Sequence, residues 1–246
     1  MKVENMGKLY DRAMILRCLK GIEAATPVGA HRRELWDRCW SDTGTPDYFS
    51  DIMRLNGEFW LAPGAELAYL NELRADLAAK YLDGIDTVHE FGCGGGQNLK
   101  ALQAMGKHVV GYDWSKAAAA RIDAMGGRGV VYDMFYPQPV EIRGAALTVH
   151  ALEQLGDRWL PFLSMLIAAR PSVVIHVEPV EELYDPENLL DYLALAYHRK
   201  RGYLSGYLTH LRKLAGMGVI DLVEQRRNRV GSLYHEAYSV IVWRVI

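Results

Sequence analysis

Four glycines fall together in Val88-His89-Glu90-Phe91-Gly92-Cys93-Gly94-Gly95-Gly96-Gln97-Asn98, between an apolar run and a stretch of helical character. Glycine reaches backbone conformations closed to other residues and lets a ligand approach the main chain, while the helix that follows offers free N–H groups at its start. Such a turn suits a nucleotide-like ligand. Asp113 lies about twenty residues beyond the first glycine, at the end of the next apolar run, where a carboxylate can accept hydrogen bonds from both hydroxyls of a ribose. Asp133 closes the run after that. A dinucleotide fingerprint needs Gly or Ala at the sixth position of the loop, and Gln97 stands there, which weighs against NAD.

Acid–base chemistry has its own candidates. In an open α/β sheet, ligands sit beyond the carboxyl ends of the strands, so reactive side chains are sought there. His150 ends the fourth run in Thr148-Val149-His150-Ala151-Leu152-Glu153-Gln154, and an imidazole of near-neutral pKa can take a proton from a hydroxyl. Glu153 lies three residues on. Glu178 follows the fifth run in His176-Val177-Glu178-Pro179 and is the second candidate base, whereas His176 is expected to face a covering helix. Two later segments are placed at the same edge: His198-Arg199-Lys200-Arg201, and Arg226, Arg227 and Arg229 with Tyr234, His235 and Glu236. With the dipole of the helix over 203–215, they suit a phosphate or carboxylate, which makes His198, Arg201, Arg227 and His235 candidate substrate ligands.

The elements that must hold these residues are readable from periodicity. From residue 85 onward, short β-rich runs alternate with helix-length segments, the pattern of a parallel sheet with crossover helices. The runs are 87–91, 108–112, 129–132, 145–149 and 172–177, with helices near 97–106, 115–126 and 157–169. Residues 187–215 read as two helices broken near Gly202, and 219–223 and 237–243 as two further strands, antiparallel neighbours because only about a dozen residues join them. The first 84 residues read as helices: Met14, Leu16, Cys18 and Leu19 in the first, and Leu67, Leu70, Leu73 and Leu77 in the last. Ser41 to Pro46 and Ala62 to Gly64 supply turns between them. The fold class is therefore α/β: a Rossmann-like, mostly parallel seven-stranded sheet over 85–246 with an antiparallel last strand, preceded by a helical region over 1–84.

An acidic residue followed by GxGxG, here Glu90 with Gly92, Gly94 and Gly96, resembles the first motif of the class I S-adenosylmethionine (SAM)-dependent methyltransferases. The resemblance covers roughly residues 85–246. It implies that the glycine loop, with Cys93 and Asn98, cradles the amino acid part of SAM and that Asp113 binds its ribose. It also implies that Trp114 flanks the adenine, that Asp133 and the Met134 backbone meet the adenine amino group, and that Thr148 to His150 border the methionine portion. S-adenosylhomocysteine (SAH) is then the product. Helices preceding such a core often form a lid, for which Tyr48, Phe49, Phe59, Trp60 and Tyr69 are available, although core packing accounts for most such aromatics.

Composition narrows the partners. Lysine and arginine total 28 against 30 acidic residues, which gives no reason to expect nucleic acid or a membrane surface as a partner. Cys18, Cys39 and Cys93 fit neither a disulfide framework nor a metal site, and a charged start replaces the apolar run of a signal peptide, so a cytoplasmic protein is expected. His150-Ala151-Leu152-Glu153 stands where a DNA amino-methyltransferase carries Asn/Asp-Pro-Pro-aromatic, which sets that substrate class aside. The expected reaction is methylation of a small polar acceptor, anionic if the basic segments bind it, with O-methylation of a sugar or secondary metabolite first. N-methylation of a small amine or a protein side chain, and a non-catalytic SAM-binding partner subunit, stand as alternatives. A homo-oligomer is compatible with all of them.

Overall fold

The computed structural model describes residues 7–41 and 50–246. Strand β1 (Gly7–Lys8), helices α1 (Asp11–Ala24) and α2 (Arg33–Ser41), strands β2 (Ile52–Leu55) and β3 (Glu58–Leu61) and helix α3 (Ala65–Tyr81) come first. There follow β4 (Thr87–Phe91), α4 (Gln97–Ala104), β5 (His108–Asp113), α5 (Lys116–Ala124), β6 (Arg128–Val131), β7 (Ala145–Val149), α6 (Leu160–Ala169) and β8 (Val173–Glu178). The chain continues through α7 (Leu189–Arg201), α8 (Tyr207–Gly216), β9 (Ile220–Arg226), β10 (Val230–Gly231) and β11 (Ser239–Val245).

The main sheet has seven strands in the order β6-β5-β4-β7-β8-β11-β9. Strands β4 to β8 pair in parallel, and β11 is inserted antiparallel between β8 and β9. Every residue of β8 is buried, because helices cover both faces of a parallel sheet, whereas β9 alternates buried and open positions as an edge strand does. One face packs against α3 and α4 through Leu70, Leu73, Leu77, Leu99 and Leu102. The other packs against α6 and α8 through Phe162, Leu166, Leu208 and Leu211. Crossover helices between parallel strands return the chain so that β4, β5, β6 and β7 all end at the same edge.

The region before residue 85 is not wholly helical. Besides α1, α2 and α3 it holds a hairpin, β2–β3, closed by the two-residue turn Asn56-Gly57. Both residues have positive φ, 52° and 79°, the pairing that a tight antiparallel turn requires and that Asn-Gly accepts at least cost. The hairpin joins β1 on one side and β10 on the other to make a second, four-stranded sheet. Of the expected turn at Ser41 to Pro46 and the aromatics Tyr48 and Phe49, all but Ser41 lie outside the described residues. Phe59 is fully buried, and Tyr69 packs on Tyr238 with ring centroids 5.7 Å apart, so both serve the core.

The two parts are knitted by charge as well as by apolar contact. Arg54 on β2, buried to 2% exposure, donates to the Leu190 carbonyl at 3.0 Å and to Asp191 Oδ1 at 2.7 Å. Arg227 bonds the same Asp191 oxygen and Glu236 Oε2, each at 2.7 Å. Two cations and two carboxylates thus pair across the hairpin, α7 and the segment between β9 and β11. Removing one member leaves uncompensated buried charge, so Arg54→Ala should lower unfolding free energy by about 3–5 kcal/mol. Urea titration measures this, and a loss below about 1 kcal/mol, the ordinary surface value, would deny the network its structural role.

Candidate functional site

Strand ends and the turns that follow them build a cleft of about 590 Å³ at the carboxyl edge of the sheet. Its floor is the glycine turn. Gly92 and Gly94 have φ of 73° and 49°, and a Cβ at Gly92 would stand 2.3 Å from the Ala151 Cβ, so neither left-handed twist nor room admits a side chain there. Asp113 closes β5 beside this turn: its Oδ2 accepts the Gly94 amide and its Oδ1 the Ser115 amide, both at 2.9 Å. Burial lifts its pKa above the ordinary value, and those amides oppose the rise. Each oxygen keeps a second lone pair. Trp114, stacked on Phe135 at 6.0 Å, supplies an aromatic wall together with Tyr132 and Met134.

Helix α2 lines the cleft; the sequence offers the preceding helices as a lid in general, but through other aromatics than those of α2. Its residues Arg33, Trp36, Asp37 and Trp40 recur at i, i+3, i+4 and i+7, which is one helical face. Trp36 and Trp40 stack at 6.2 Å and line the cleft, and the Trp40 indole lies so close to Gly94 that a Cβ there would meet it at 2.5 Å. Asp37 accepts the Ser115 hydroxyl at 2.7 Å, and Arg33 reaches 3.5 Å from Asp133 Oδ2 and from the Trp114 carbonyl. The cover is therefore tied to the same strand ends that carry Asp113 and Asp133.

At the other end of the cleft stands His150, held at φ 52°, an unusual conformation for a side chain of this size. The loop after it is fixed by Glu178, which is fully buried: Oε1 accepts the amides of Ala151 and Leu152 at 3.1 and 3.0 Å, and Oε2 that of Glu153 at 3.3 Å. Burial and the nearby Glu153 charge push the Glu178 carboxyl up to about 7. With both oxygens so engaged, Glu178 positions the loop rather than facing a ligand. His150 Nδ1 lies 3.6 Å from Glu153 Oε2, and its ring meets the Tyr238 ring edge-on at 4.9 Å. Burial pulls the imidazole pKa down, but Glu153, Glu178 and Glu66 outweigh it, and the net direction is upward from 6.5.

Other expected site residues fall elsewhere. Glu90 is buried beneath the glycine turn, where it accepts the Asn98 amide at 2.5 Å, and Arg74 of α3 holds Asn98 at 2.7 Å; burial raises Glu90 to about 8. Cys93 is buried against the sheet. Thr148 turns its hydroxyl to His176 Nδ1 at 2.9 Å, and His176 bonds Tyr207 of α8. The basic rim is corrected by the structure. Arg227 is committed to Asp191 and Glu236; His198 and His235 are buried and hydrogen-bonded to each other at 2.9 Å; and Arg201 donates to the Thr26 carbonyl at 2.6 Å. Internal partners brought from distant parts of the chain take the donors of Arg227 and one of those of Arg201, whose Nε has no hydrogen-bond partner among the described residues.

No protein-family model and no curated relative matches the chain. Solved structures do. It is similar to the N-methyltransferase NodS from Bradyrhizobium japonicum, solved with SAH, at TM-score 0.59 and 14% identity over 87% of this chain and 97% of that one. The magnesium protoporphyrin IX methyltransferase ChlM from Synechocystis, with bound SAM, gives TM-score 0.56 at 12% identity over 87% and 97%. The mitomycin 7-O-methyltransferase MmcR gives 0.55 at 14% over 93% and 60%. With its sheet order, its antiparallel β11 and its glycine turn at the end of β4, the chain has the fold of the class I SAM-dependent methyltransferases.

Proposed function

We propose that the protein is a SAM-dependent methyltransferase of a small polar acceptor, with SAH as product. The observation that carries this reading is one cleft that joins the glycine turn, the Asp113 carboxylate and His150. The residues fit the cofactor. Gly92 and Gly94 bring the main chain to the cleft without side chains, Asp113 retains lone pairs for the ribose hydroxyls, and Trp114 with Phe135 offers a flat wall to the adenine. Asp133 and Met134 stand where the adenine edge would be read. SAM, when bound, supplies an electrophilic methyl on a sulfonium. The chain's task is to align the acceptor and take its proton.

His150 is the base of this reading, with Glu153 orienting it. Helix α2 is its lid: Trp36 and Trp40 exclude water from the cleft, and Asp37 and Arg33 tie the cover to the strand ends. The O-methylation expected first and N-methylation both need the same base. The 85–246 core then carries the chemistry, and the preceding region contributes the cover.

Four outcomes are expected. Asp113→Ala should weaken SAH binding by about 1–3 kcal/mol in calorimetry with the fold intact, and unchanged affinity would remove Asp113 from the site. SAH binding should change the tryptophan emission of the wild type more than that of Trp40→Phe, in which Trp36 and Trp114 still line the cleft; an identical response in both proteins would place the cofactor away from α2. His150→Ala should lower single-turnover methyl transfer by about 10² to 10⁴ while SAH affinity is retained. Because the base acts unprotonated and its pKa is raised, the wild-type rate should climb with pH through a midpoint above 6.5, and Glu153→Gln should move that midpoint to lower pH. A flat profile from pH 6 to 8, roughly the range where imidazole titrates, would exclude His150 as the base.

A further inference from the structure

The charge around His150 bears on what the acceptor is. Three carboxylates surround the imidazole: Glu153, Glu178 and Glu66, at 5%, 0% and 4% exposure. Glu66 comes from α3, where Oε1 accepts the Tyr238 hydroxyl at 2.9 Å and Oε2 the Ser50 amide at 3.3 Å. The cations near this pole are drawn mainly to partners inside the chain. Arg54 and Arg227 are held by Asp191 and Glu236, and the Arg201 guanidinium lies over the Tyr203 ring at 5.2 Å with one nitrogen on the Thr26 carbonyl. His198 and His235 are neutral, since burial lowers His198 to about 4 and holds His235 well below the ordinary imidazole value.

Hydrogen-bond capacity adds an independent observation. Glu153 Oε2 and His150 Nε2 are both sealed from solvent and have no hydrogen-bond partner among the described residues. At 3.6 Å the Glu153–His150 contact is too long to count as a hydrogen bond, though close enough to keep the imidazole proton on Nδ1. Nε2 is then a bare acceptor. The two unmatched acceptors belong to side chains in contact on one loop, and leaving such groups unmatched is costly. A carboxylate or phosphate brings them no donor, and a hydroxyl brings one for two acceptors. An ammonium group brings three, with the charge that the carboxylates favour.

We propose that the acceptor is a cationic amine, seated with its ammonium group against Glu153 and His150, instead of the anionic acceptor that the basic segments suggest in the sequence. The N–H proton directed at His150 passes to Nε2, which leaves the amine nitrogen with the lone pair it needs to accept a methyl group. Glu153 keeps the resulting imidazolium paired.

The inference rests on the SAM-site reading, and the experiment separates the two. Sinefungin carries an amine at the position of the transferable methyl, where SAH has none. By calorimetry at neutral pH, wild-type protein should bind sinefungin at least about tenfold more tightly than SAH, a difference of about 1.4 kcal/mol. That preference should fall to about threefold or less in Glu153→Gln, with Glu66→Gln as the second variant should the first not fold. Titration of the wild-type SAH complex with benzylamine, benzyl alcohol and benzoate should favour the amine. Failure to bind SAH at all overturns the cofactor site and this inference with it. If SAH binds, then equal affinity for sinefungin, a preference unchanged in the variants, or benzylamine no better than the other two probes, including no binding by any, overturns the cationic acceptor alone.

Discussion

The loop after β7 carries His150, Glu153 and Gln154, and a single carboxylate holds it in place. Three consecutive amides, those of Ala151, Leu152 and Glu153, point at Glu178, which rises from the neighbouring strand. Without that acceptor the amides would be buried and unpaired, and the left-handed turn at His150 would have nothing to fix it. Strand pairing between β7 and β8 sets where the carboxylate sits, so the register of the sheet becomes the position of the imidazole. The same loop packs against the glycine turn through Ala151, whose methyl fills the space a Gly92 side chain would need. One buried acid thereby fixes the distance between the two halves of the cleft.

Much of this was legible in the chain. Strands buried on both faces write themselves as runs such as Val173 to Val177, and crossover helices repeat apolar residues at helical spacing, so the seven strands and their order of direction follow from local pattern. The glycine turn and Asp113 were readable because their conformational and chemical demands are met by few residue types. Two features were readable and passed over. Asn56-Gly57 between Arg54-Leu55 and Glu58-Phe59 is a hairpin signal, and Arg33, Trp36, Asp37 and Trp40 form one helical face that has to cover something.

Charge pairing was not legible, for a physical reason. Topology assigns the rim arginines to one edge, but a guanidinium takes the nearest desolvated carboxylate, and that carboxylate comes from anywhere in the chain. Arg227 meets Asp191 across 36 positions, and Arg54 meets it across 137. Roles such as base, anchor and structural counter-ion therefore separate only when three-dimensional neighbours are known. Glu153 and Glu178 look alike in sequence; in the structure one has an oxygen without a hydrogen-bond partner and the other has every oxygen engaged.

The four-stranded sheet also has a bearing on how the chain assembles during synthesis. Strand β2 and its hairpin leave the ribosome well before their edge partner β10 and the Tyr238 hydroxyl that meets Glu66, 172 positions away. Contacts so distant in sequence form late, because the loop that joins them must first be closed. Until then the hairpin presents an open strand edge, the kind of surface that invites pairing with other chains. The nascent protein therefore holds its first-made elements unfinished while the parallel sheet forms, and the edge is capped only when the segment between β9 and β11 arrives.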